Sequence, residues 1–139
     1  MTGNIHQLRD KAGQTEKITI NLGYVDLGQI DLLVQEGFYS NRTDFIRTGI
    51  RSQLAAHSDV VKESIVRDTL ELGLRDYSRA ELEAVKAAGE TLHIKVVGLA
   101  RIAADVTSDL ALATIGSISV LGALQASDQV KSALADRIR

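Results

Sequence analysis

Hydrophobic and polar positions alternate strictly over residues 17–22 (KITINL), with Ile18, Ile20 and Leu22 on one face of a period-two ribbon and Lys17, Thr19 and Asn21 on the other. The pattern predicts a short strand that buries one face and offers hydrogen-bonding groups on the other. So short a strand closes no hairpin with a neighbour in this sequence, so its backbone needs a partner, and a second copy of itself would supply one. After Gly23 the period changes. Val25, Leu27, Ile30, Leu33 and Val34 recur at helical spacing, with Asp26 as the expected cap and Gly37 as the expected left-handed stop. Ser40 is expected to cap a second helix with Thr43 and Asp44 in its first turn and Phe45, Ile46, Ile50 and Leu54 as its buried stripe.

Past His57 the chain resembles itself. A shift of 24 residues brings Ile94, Val96, Gly98, Val106, Ser108, Leu110 and Ala111 onto Ile118, Val120, Gly122, Val130, Ser132, Leu134 and Ala135, and a weaker copy begins at Leu70. Each copy reads as strand, glycine-marked bend and capped helix. The expected strands are 69–74, 92–99 and 117–124, and the expected helices are 79–88, capped by Ser78, 108–115 and 128–138. Alternating units of this kind build a parallel sheet whose helices cover one face or stack as a small solenoid. Three strands alone leave open edges, and 92–99 and 117–124 are apolar and free of Pro, so controlled self-association is expected, with Ile94, Val96, Ile118 and Val120 as its contacts.

Strand, helix, glycine turn and helix, with the residues Ile18-Thr19-Ile20-Asn21-Leu22, Ile30-Asp31-Leu32-Leu33-Val34 and Gly37-Phe38-Tyr39-Ser40-Asn41-Arg42-Thr43-Asp44-Phe45-Ile46-Arg47, resemble the ribbon-helix-helix DNA-binding family of the CopG, Arc and MetJ type. The resemblance covers about the first third of the chain. It implies two chains pairing their strands into a swapped antiparallel ribbon that enters the DNA major groove, with Lys17, Thr19 and Asn21 at base edges. Asn suits adenine, Thr can touch a thymine methyl, and Lys can reach guanine or a phosphate. Ser40, Asn41, Arg42, Thr43 and Arg47, at the start of the second helix, would hold phosphate. Ile18, Ile20, Leu22, Ile46 and Ile50 would form the dimer core. The sequence departs from the family pattern after the strand, where a Pro is common and Gly23-Tyr24-Val25-Asp26 stands here. It departs again at Gly49, where a small residue such as Ala is usual. Close approach of paired helices would explain the glycine.

The predicted fold class is thus α+β: a mobile arm over 1–16, a ribbon-helix-helix domain over 17–57 for DNA binding and dimerisation, and a module of about three βα repeats over 60–139. The expected function is a sequence-specific DNA-binding transcriptional regulator, a repressor or DNA-organising protein, that dimerises through its ribbon and forms higher homo-oligomers through the repeats. The alternatives are a ligand-sensing regulator with a small-molecule site among the repeats, and an antitoxin. The regular apolar repeat argues against the latter, since toxin-binding segments are usually polar and poorly ordered.

Composition narrows the partners. The 139 residues carry a net charge of −2. Up to His57 the acidic Asp10, Glu16, Asp26, Asp31, Glu36 and Asp44 balance the basic Arg9, Lys11, Lys17, Arg42, Arg47 and Arg51, so DNA affinity must come from placement or from several dimers acting together. The absence of Cys removes disulfide and thiolate chemistry. His6, His57 and His93 show no metal-ligand spacing, so no metal or cofactor is expected. Gly73, Gly98 and Gly122 are followed by no phosphate-loop pattern, and Ser64, Ser78, Ser108 and Ser127 have no triad partners, so no enzymatic role is expected. Glu81, Glu83 and Glu90 read as a solvated face. With no membrane-length apolar run or export-signal pattern, a cytoplasmic location is expected.

Overall fold

The computed structural model of the protein describes residues 13–139; the arm expected over 1–16, with His6, Arg9, Asp10 and Lys11, lies largely outside them. The chain divides into two compact units between Val61 and Lys62.

In the first unit, residues 17–22 form neither helix nor strand in the single chain, and no strand among the described residues pairs with them. Helix α1 follows as Tyr24–Gln35. Its N-cap is Gly23, with no side-chain bond, and not the expected Asp26, which sits one turn in, where its charge complements the helix dipole. Gly37, at φ +86°, ends it. The Phe38 and Gly37 N–H groups return to the carbonyls of Leu33 and Val34 at 3.0 and 3.1 Å, satisfying the helix's last acceptors. Helix α2 is Arg42–Ala56.

Helix α3, Ser58–Asp68, was not expected from the sequence. Only His57 separates it from α2, and its Val60 and Val66 remain exposed. It ends at Thr69, which adopts φ +54° while its N–H and that of Leu70 bond back to Val66 and Ile65. This is the same terminating geometry as at Gly37, here imposed on a β-branched residue.

The second unit alternates strand and helix: β1 Glu71–Tyr77, α4 Arg79–Ala87, β2 Leu92–Ile102, α5 Ser108–Thr114, β3 Ile115–Gln125, α6 Asp128–Ala133 and a closing 3-10 turn, Ala135–Arg137. The three strands form one parallel sheet in the order β1-β2-β3. The strands run further than expected, to Tyr77, Ile102 and Gln125, and the last helix is shorter, because Leu134 turns the chain into the 3-10 segment. Ser78, Thr107 and Ser127 cap the three helices, their side-chain oxygens accepting from the N–H of Glu81, Leu110 and Val130.

The register of β2 on β3 sets Ile94 beside Ile118, Val96 beside Val120 and Gly98 beside Gly122, while Gly73 lies beside Gly98 on the other side. All three glycines take positive φ, 126°, 135° and 121°. A Cβ on Gly98 would fall 2.2 Å from the Gly73 carbonyl oxygen, and one on Gly122 2.0 Å from that of Gly98, so only glycine permits this line of kinks across the sheet.

The core lies between the sheet and the helices on one of its faces, built from Tyr77, Ile94, Val96, Ala100, Ile102, Ile115 and Ile118 of the strands and from Leu82, Leu110, Ala111, Val130 and Leu134 of the helices. Ile94, Val96 and Ile118 are thereby fully buried within their own chain and Val120 half-buried. Helix packing within the chain thus covers Ile94, Val96 and Ile118, against the expectation that they carry oligomer contacts, whereas Val120 stays partly open. The opposite sheet face exposes Leu72, Leu74 and Leu121 instead. Arg75 reaches from β1 to Glu81 on α4 and lies 4.5 Å over the Tyr77 ring, and Arg79 pairs with Glu83, so Glu81 and Glu83 are ion-paired and not merely solvated. Burial holds the Tyr77 phenol above its usual range. Among the described residues no helix is long and apolar enough to cross a membrane.

Candidate nucleic-acid interface

The first unit has almost no interior of its own. Ile30 is its only buried hydrophobe among the described residues, and α2 buries no residue at all. Ile18 is 73% exposed and Ile20 59%, with Leu22 exposed beside them. A concave apolar surface continues from Ile20 and Leu22 through Ile30, Leu33, Phe45 and Ile46. A second runs along α2 past Gly49, Ile50, Leu54 and His57. Apart from its chain neighbours and its own helix's backbone, no described atom lies within 4 Å of a Cβ placed on Gly49. Lys17, Thr19 and Asn21 are likewise exposed, so both faces of the 17–22 segment are open in the single chain.

The turn into α2 is built by reciprocal hydrogen bonds. Asn41 is the N-cap, its Oδ1 accepting from the Asp44 N–H at 2.8 Å, and Asp44 Oδ2 accepts from the Ser40 N–H at 2.9 Å. This corrects the expectation of Ser40 as cap: the carboxylate three residues beyond Asn41 returns to the residue before it and fixes the cap one position later. Thr43 and Asp44 do lie in the first turn. Since Asp44 consumes the Ser40 donor and its own N–H is taken, the Asn41, Arg42 and Thr43 N–H groups are the free donors at this helix start among the described residues. Tyr39 packs edge-on against Phe45, centroids 5.0 Å apart, closing the turn over the start of α2.

Arg42 does not project freely. Its Nε and Nη2 donate to both carboxylate oxygens of Asp31 on α1, each at 2.8 Å. The guanidinium holds the Asp31 carboxyl below the usual carboxylate range, and the carboxylate raises Arg42 in turn. The sequence singled out Arg42 and not Asp31. The signal was available only as an acid and a base on successive helices, a spacing that fixes no contact. Arg47 makes no ion pair among the described residues.

Of the histidines, His57 is the C-cap of α2 and His93 Nδ1 lies 2.8 Å from Ser117 Oγ on the neighbouring strand. Among the described residues no cluster of His, Cys, Asp or Glu could hold a metal ion. At the carboxyl ends of the strands a shallow cleft is lined by Asp76, Tyr77, Ser78, Arg101 and Ser127, and the Arg101–Asp76 ion pair at 3.1 Å occupies its polar side.

The sequence model of the ribbon-helix-helix transcriptional regulator family matches residues 13–131. The match runs from before the 17–22 segment into α6, well beyond the N-terminal third that carried the resemblance in the sequence. No curated protein and no solved structure gives a significant match.

Proposed function

Because the chain belongs to the ribbon-helix-helix transcriptional regulator family, we propose that it is a sequence-specific DNA-binding repressor whose 17–22 segments pair antiparallel in a homodimer. The observation that carries this reading is the exposure of Ile18, Ile20 and Leu22 beside a helix pair with a single buried side chain. At ~25 cal/mol per Å2 of apolar surface removed from water, such a unit gains too little alone, and a second copy laid across the two apolar grooves supplies the missing core. Ile46 and Ile50 line those grooves and would join it.

Burial of the isoleucine face turns Lys17, Thr19 and Asn21 outward as a double row, the chemistry that reads base edges in the major groove. The start of α2 then grips the backbone. The free N–H groups of Arg42 and Thr43 and the positive helix end favour a phosphate oxygen, Ser40 and Asn41 line the same turn, and Arg47 adds an unpaired charge. In this reading Arg42 acts through the fork to Asp31, which leaves its charge partly neutralised, and Arg47 carries more of the salt-dependent affinity. The second unit links dimers so that adjacent half-sites fill cooperatively.

Selection of bound sequences from a random duplex pool, followed by fluorescence anisotropy on the best site and on an unrelated duplex, tests the reading. Asn21→Ala is expected to weaken the selected site roughly 5- to 150-fold, from ~1–3 kcal/mol of lost discrimination, and to leave the unrelated duplex unchanged. Equal losses on both, or none, contradict it.

A further inference from the structure

The two edges of the parallel sheet are treated differently. On β3 the chain's own end closes part of the edge: Ile138 bridges Ile118, and the Arg139 N–H donates to the Ile118 carbonyl at 2.8 Å. On β1 no segment among the described residues bridges the outer edge. Edge strands that must stay single usually carry Lys, Pro or a cover. The β1 sequence, ELGLRDY, has none of these.

Charges on an edge also deter pairing when an identical copy brings like charges together. On β1 they do the opposite. In an antiparallel pair centred on Gly73, position 71 of each strand faces position 75 of the other, and 72 faces 74. Glu71 then meets an arginine at both ends, and Leu72 meets Leu74 on the helix-free face, where they are now 67% and 45% exposed. Arg75 is already steadied at this edge by Glu81 and the Tyr77 ring, whereas Glu71 lies 3.6 Å from it with most of its side chain in solvent.

The glycine line supports the same edge. The space that a Cβ would claim at Gly98 is filled by the backbone of Gly73, and at Gly122 by that of Gly98. At Gly73, which shares their positive φ, no described atom comes within 4 Å of that position. A further strand's backbone can approach there as closely as the existing strands approach one another.

We propose that β1 is the seam at which a second copy of this chain continues the sheet, the two β1 strands running antiparallel about Gly73 with Glu71 of each facing Arg75 of the other. The inference rests on, and gives a location to, the proposed self-association of the second unit. It replaces the buried Ile94, Val96 and Ile118 by an edge that is open.

The chain has no cysteine, so single thiols report contacts without background. Full-length Leu72→Cys and Leu74→Cys chains, co-expressed and mildly oxidised, are expected to form a mixed disulfide, because directly opposed Cα atoms lie within bridging distance. Either variant expressed alone is expected to stay near background, since its own thiols sit two positions apart across the pair. Adding Glu71→Lys to both chains sets like charges opposite each other and is expected to lose the cross-link with the circular dichroism spectrum unchanged. A mixture that cross-links no better than the single variants overturns the proposal. Sedimentation of the unmodified protein separates this from the parent reading. Assemblies above a dimer without the cross-link leave higher assembly standing and refute this seam. A dimer with the cross-link keeps the seam and refutes higher assembly.

Discussion

At the scale of single residues, Thr69 is where the backbone is most out of keeping with its side chain. A β-branched residue at φ +54° carries steric strain that glycine would not. Gly37 and Gly89, at φ +86° and +67°, end their own helices at the same geometry without that cost. Thr69→Gly is therefore expected to stabilise the protein by about 1 kcal/mol, the strain relieved outweighing the extra freedom of the unfolded chain. Urea denaturation reads this as a raised midpoint, and a lowered midpoint would show that Thr69 makes a contact worth more than its strain.

At the scale of elements, the Arg42–Asp31 fork ties α1 to α2 across the glycine turn, and its pH dependence has a definite sign. The Asp31 carboxyl is held below its ordinary value, principally by the hydrogen bond from Arg42. The folded state thus binds the proton less readily than the unfolded one, so the contribution is present above about pH 4 and is lost as pH falls below it toward the lowered value. Asp31→Asn should accordingly be less stable than the unmodified protein at neutral pH, the two converging under acid. A gap that persists unchanged at pH 3 would mean that the fork is not the source of the difference.

The elements were legible wherever a short-range signal fixed them. Ser78 announces α4 because a hydroxyl at an N-cap satisfies a backbone donor that the first turn leaves unpaired. The spacing of Ile94, Val96 and Gly98 against Ile118, Val120 and Gly122 reappears as strand register. Long-range competition was not legible. Asn41 displaced Ser40 as cap only because Asp44 reaches back over the turn. Alternation places Ile94 and Val96 on one face of β2 but cannot say which face three helices will cover. The carboxylate that engages Arg42 was not legible either, since it comes from another helix.

At the scale of the whole molecule, the account joins two deficits. Among the described residues the first unit buries only Ile30 and the second leaves the outer edge of β1 unpaired, and in the proposed assembly an identical chain would cover both, by isoleucine burial in the first and reciprocal charges in the second. A net charge of −2 gives no general attraction to DNA, so binding should depend on how paired chains place Lys17, Thr19, Asn21 and Arg47. The most direct measurement is amide hydrogen exchange over residues 17–22 in the full-length protein at tens of micromolar and again after dilution. The account predicts that amides of this segment are protected at high concentration by the second chain's carbonyls and lose protection together on dilution. Exchange at free-chain rates at both concentrations would contradict it.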